Sequence, residues 1–217
     1  MSGDETKAIT EVAKATGEVA KLSGKAIDAA TGFANWVGKT IGTIPEDLLG
    51  IAGGDWLHEQ RRRNLISLQA KTAEIRTRIY AGPPQEPSVS VVLPLLRAAS
   101  DEARPELQSL WAGLLTAALQ PDGGRRVRRA YFDTLAQMEP LDAVLFEAIM
   151  HLRRDKQGGR VDANLAGGKA GIGGDERTVS INALEKLGLI VFGHHDGLHA
   201  VKPYGLAFWE ACNPQLF

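Results

Sequence analysis

A single cysteine, Cys212, stands in 217 residues. One thiol excludes an internal disulfide and a cysteine-based zinc site, and it fits a reducing compartment. An excess of one charge sign is also missing. Lys and Arg number 25 against 26 Asp and Glu, for a formal net charge of −1. Proteins that coat nucleic acid need a basic excess to displace phosphate counterions, so that class is disfavoured. Long apolar runs are absent too. The longest stretch free of Asp, Glu, Lys and Arg covers residues 107–121, short of the ~20 residues that a spanning helix needs. The first residues, MSGDETKAITEVAK, carry both charge signs and no apolar stretch of the secretory kind. The expected location is the cytoplasm, with peripheral contact at the inner membrane left open. No Ser–His–Asp pattern, nucleophile elbow or HExxH motif is present.

What is there is ordinary for a globular chain: 44% hydrophobic and 24% charged residues, which excludes global disorder. The length suits one domain or two small ones. The 24 Gly and 10 Pro punctuate it. Residues 1–54 form an Ala- and Gly-rich amphipathic region. Ile9, Val12, Val19 and Ile27 recur at helical steps among small residues, a face too thin to stabilise a helix without a partner surface. Residues 55–80 read as one long connecting helix striped by Leu57, Leu65, Leu68, Ile75 and Ile79. The AGPPQEPS segment after it is a linker.

Residues 88–155 read as a helical core domain. Ser88 can cap its first helix, which Pro94 either kinks or restarts. Pro105 opens a second, ended by Asp122-Gly123-Gly124. A third runs from about Arg125 through Phe132, Leu135 and Met138. Pro140 opens a fourth, with Leu141, Val144, Leu145, Ala148, Ile149 and Leu152 on its apolar face. Residues 156–217 begin with a glycine-rich loop. Asp175 then caps a helix that Gly188 stops, and 189–192 and 198–201 form a hairpin around His195-Asp196-Gly197. Pro203 opens a terminal helix. Helix, short element, helix, hairpin, helix is the order of a winged helix-turn-helix. The predicted fold is therefore mainly α. A helical N-terminal region and helical core precede a winged-helix-like C-terminal module with one small β-hairpin.

Several groups bear on chemistry. Gly168-Lys169 lacks the following Ser or Thr and the earlier Gly of a phosphate loop. His194, His195 and His199 match no familiar ligand spacing and read as surface histidines of the wing. Cys212, in an apolar helix, reads as a buried thiol. Asp101-Glu102 and Asp175-Glu176 are expected at helix starts, where the dipole favours acids. No metal or cofactor is expected. Arg125, Arg126, Arg128 and Arg129 make a candidate anion or partner patch, since four guanidiniums lie within five residues. On the winged-helix-like module, Arg177, Thr178, Ser180, Asn182 and Lys186 are the candidate surface. Six positive and six negative residues leave that module neutral, so nucleic acid is not the favoured partner. Phe33, Trp36, Val37, Ile41 and Ile44 form a candidate membrane or docking face, either for the core or a second subunit or for lipid.

At residues 60–212 the chain resembles the abortive infection alpha family of bacterial proteins. The segment SVSVVLPLLRAASDEARPELQSLWAGLLTAAL carries the central likeness, on Leu107, Gln108, Leu110, Trp111, Leu114 and Leu115. YFDTLAQMEPLDAVLFEAI resembles the family's next helix, Pro-Leu turn and helix, and INALEKLGLI followed by HAVKPYGLAFWEAC resembles its close. Lys202-Pro203 stands where a Thr is more typical. The resemblance implies antiphage defence and brings no catalytic residue with it. The expected function is a non-enzymatic defence protein acting through protein or membrane interactions, with a protein partner or a second copy. A winged-helix transcriptional regulator is the alternative.

Overall fold

Prolines set the starts of three helices, because a first-turn residue needs no amide hydrogen and the fixed φ is already helical. They are Pro105, Pro140 and Pro203. The computed structural model describes residues 55–79, 85, 87–121, 126–156 and 159–216. In chain order these form α1 (Asp55–Ile79), α2 (Val89–Ser100), α3 (Pro105–Ala118), α4 (Arg129–Ala136) and α5 (Pro140–Asp155). Then come α6 (Ala163–Lys169), α7 (Gly174–Lys186), β1 (Ile190–Phe192), β2 (His199–Val201), α8 (Pro203–Cys212) and a short 3-10 turn (Pro214–Leu216). The chain is thus mainly helical with one small antiparallel hairpin, as its periodicity implied.

The core is built around α3, where every residue from Trp111 to Ala118 is buried. Helices α1, α2, α4, α5 and α8 all pack against it. On α1 the inward row is Leu65 and Leu68 together with polar Asn64, Thr72 and Arg76. The polar members are accommodated by hydrogen bonds: Asn64 Nδ2 donates to Ser100 O at 2.8 Å, and Thr72 Oγ1 to Leu68 O at 2.7 Å. The return helix α8 lies on α3, and its Phe208 meets Tyr131 of α4 and Phe146 of α5 at 5.7 and 6.2 Å. One apolar cluster therefore runs from Leu65 to Cys212.

The C-terminal module has winged-helix order. Val161 pairs antiparallel with His199, beside the β1–β2 pair. Helices α5, α6 and α7 pack on one another. Gly188, at φ +73°, ends α7, and Gly197, at φ +68°, turns the hairpin, a region where L side chains are strained.

Five details differ from the sequence reading. The helix drawn from Arg125 begins at Arg129, with extended Arg128 as its N-cap. Met138 lies beyond its end but is fully buried. Helix α3 ends at Ala118, before Asp122. The glycine-rich loop contains helix α6, because Asp162 accepts from the amides of Asn164 and Leu165 and caps it. Gly173, not Asp175, is the N-cap of α7, leaving Asp175 inside the first turn. Leu141 is exposed while its neighbour Asp142 is buried, because the Asp142 carboxylate accepts from the Glu139 amide in a capping box.

Candidate functional site

Helix α7 turns a broad face outward. Ile181 and Leu184 point to the core, so Thr178, Val179, Asn182 and Lys186 are left exposed. Ser180 is buried, contrary to the sequence reading. It lies four residues before Leu184 and follows it inward, a signal the helical spacing already carried. Arg177 is half-buried, its Nη1 donating to Ile172 O at 3.3 Å. Its stem lies so close over Gly167 that a Cβ there would come within 2.5 Å. It ties α6 to α7 instead of reaching out. Val179, at 67% exposure, is the residue the sequence reading missed; Leu165, Val191 and Phe192 are also exposed apolar residues of this module. The first turn of α7 carries Asp175 and Glu176.

The three histidines separate. His194 and His195 are exposed in the hairpin turn, as expected of a wing. His199 is buried, because its strand position faces inward and its backbone exchanges bonds of 2.8 and 2.7 Å with Val161. Its Nε2 lies 3.9 Å from Glu185. Burial pushes its pKa below the ordinary imidazole value, against the opposing pull of Glu185 and Asp162. Among the described residues no group of three His, Cys, Asp or Glu is placed to hold a metal. Cys212 is buried, and burial pushes its thiol well above its usual range, so it stays protonated and is no nucleophile.

The arginine cluster also separates. Arg125 lies outside the described residues, as do Phe33, Trp36, Val37, Ile41 and Ile44. Arg129 reaches α2, donating from Nε and Nη2 to Ser90 O at 3.2 and 3.0 Å. Arg126 and Arg128 line a groove of about 800 Å³ with Ile79, Ala117, Tyr131, Ala207, Glu210 and Pro214. A second cavity of about 540 Å³ lies between α2 and α3, against Trp111. At its rim Arg104 Nε and Nη2 grip Glu102 at 2.8 and 2.9 Å, and Arg104 also pairs with Glu139. Burial pushes the Glu102 pKa up, but the Arg104 bonds pull it further down, so the net shift is downward. Asp101 and Glu102 thus close the α2–α3 turn, Asp101 as the C-cap of α2, and do not start a helix.

Helices packed round a central α3 and closed by a winged-helix-like module define the class. Among the described residues no helix is long and apolar enough to cross a membrane. Residues 61–212 match the family described as abortive infection alpha, and the chain belongs to that family. Membership points to a role in abortive infection. No curated protein and no solved structure matches the chain. The family-like residues of α3 are core: Leu107, Trp111, Leu114 and Leu115 are buried. Gln108 is buried too, donating to Glu102 O at 2.9 Å and accepting from Ser67 Oγ at 2.7 Å.

Proposed function

We propose that the protein is a non-enzymatic antiphage-defence protein that acts by binding another protein through the outward face of its winged-helix-like module. The observation that carries this reading is the exposure of Val179 at the middle of α7, 67% open to solvent. Leu165, Val191 and Phe192 add exposed apolar area on the same module. A DNA-reading helix turns its N-terminal residues to base edges beside phosphates. Here that end holds Asp175 and Glu176, which repel phosphate. Family membership supports the defence role.

Phage plating with and without the gene tests the role. Protection against at least part of a broad phage panel is expected. It should be lost with Val179→Asp while the purified variant keeps its melting temperature, because an exposed site tolerates the charge. No protection across the panel, or full protection by a folded Val179→Asp variant, refutes the reading. Sequence-specific DNA retention that falls steeply with salt would instead support a regulator.

A further inference from the structure

Arg126 and Arg128 line one side of the 800 Å³ groove, and Ile79, Ala117, Ala207, Ala211 and Pro214 supply an apolar wall. Both arginines are exposed. Neither forms a salt bridge with any described residue, whereas their neighbour Arg129 is spent on Ser90. Helix α4 begins beside them with no capping side chain and no acid in its first turn. The amides of Arg129 and Ala130 have no acceptor within the helix, while that of Tyr131 donates to Arg128 O at 3.0 Å. Tyr131, buried to 1%, lines the same groove, and its hydroxyl makes no hydrogen bond to a described residue. The Tyr131 phenol lies in the fields of Arg128 and Glu210, the latter being the one carboxylate among the described lining residues.

An anion is the ligand such a set attracts. Two guanidinium forks, a helix N-terminus and a phenol offer more donors than one carboxylate can use, and a phosphate can share its oxygens among them. The volume falls within the ~300–1,000 Å³ of small-molecule sites. We propose that this groove binds a small phosphate-bearing ligand, its phosphate held by Arg126, Arg128 and the start of α4 and its body laid along the apolar wall. Glu210 opposes the phosphate charge and sets a limit on affinity.

The test uses the full chain, with adenosine monophosphate and adenosine as soluble probes, and vesicles of phosphatidylglycerol or phosphatidylcholine for a lipid source. Adenosine monophosphate should bind saturably in calorimetry and adenosine should not. Arg126→Gln with Arg128→Gln should weaken binding about tenfold or more, the loss expected for charge-assisted bonds. Glu210→Gln should tighten it. Retention on phosphatidylglycerol alone, lost in the double arginine variant, would assign the phosphate to a lipid headgroup and uphold the site. Absence of binding in every arm overturns the proposal. So does binding indifferent to all three substitutions. A double variant that melts earlier while the parent binds no phosphate also overturns it, and assigns the two arginines to the C-terminal ends of α1 and α3, which reach the same groove through Ile79 and Ala117.

Discussion

Among the described residues Trp111 is the largest fully buried side chain, and its ring stands 6.2 Å from that of Phe132. Its replacement by Ala removes a whole indole from the middle of the core and should cost ~3–5 kcal/mol of unfolding free energy, read from urea denaturation. Unchanged stability would refute the central place given to α3. The indole Nε1 has no hydrogen-bond partner in the described structure, so Trp111→Phe should cost much less, because no bond is broken. Two residues on, Gly113 faces the last turn of α8. A Cβ there would lie 1.7 Å from Cys212 O, and backbone cannot yield as a side-chain tip can. Gly113→Ala should therefore destabilise by at least the upper part of the ~1–3 kcal/mol typical of overpacking. A thermal melt that matches the parent would show that α8 can shift away from α3 freely.

At the level of elements, Pro94 sits inside α2 without ending it. Proline has no amide hydrogen, so the carbonyl four residues earlier, that of Ser90, loses its helical donor. Arg129 supplies two guanidinium bonds to that oxygen and thereby joins α4 to α2. Arg129→Gln should cost ~1 kcal/mol, modest because Ser90 is exposed and water can replace the guanidinium. In a Pro94→Ala background the helical amide returns and the same substitution should cost less. Equal costs in both backgrounds would show that Arg129 does not serve the proline-freed carbonyl. This bond also marks where sequence reading stopped. Helix starts at Pro105, Pro140 and Pro203, the stop at Gly188 and the burial of Trp111 and Cys212 were legible, because each follows from local backbone chemistry or apolar spacing. Arg129 could not be told from Arg126 and Arg128 by type or spacing. Its role depends on a carbonyl 39 residues away. The groove was hidden for the same reason, since Ala207 and Glu210 meet the arginines only after α8 folds back. Helix α6 was hidden by glycine content, which one capping acid, Asp162, outweighs.

For the whole molecule, one continuous core links the bundle to the winged-helix-like module, so a titration inside the module acts on the stability of all of it. His199 joins Val161 to the hairpin and is pushed by burial below its ordinary value, while Glu185 and Asp162 pull the other way. The unfolded imidazole takes up a proton near pH ~6.5, and the folded one only at lower pH. Between those two values the unfolded state holds more protons, so stability falls as pH drops through this window, and the fall ends below the folded value. Glu102 acts lower down. Burial raises its pKa but the Arg104 bonds lower it more. Its stabilising effect is present above the usual carboxylate range and disappears as pH falls through the folded value. Urea midpoints should therefore decline in two stages on acidification, the first just under neutrality and the second in the carboxylate range. His199→Leu should abolish the first stage and leave the second, whereas Glu102→Gln should leave the first and shrink the second, which Asp196 beside Arg160 and Glu59 beside Arg63 share. If the decline just under neutrality persists unchanged in His199→Leu, the buried imidazole is not its source, and the contact between Val161 and β2 is insensitive to the charge beside it.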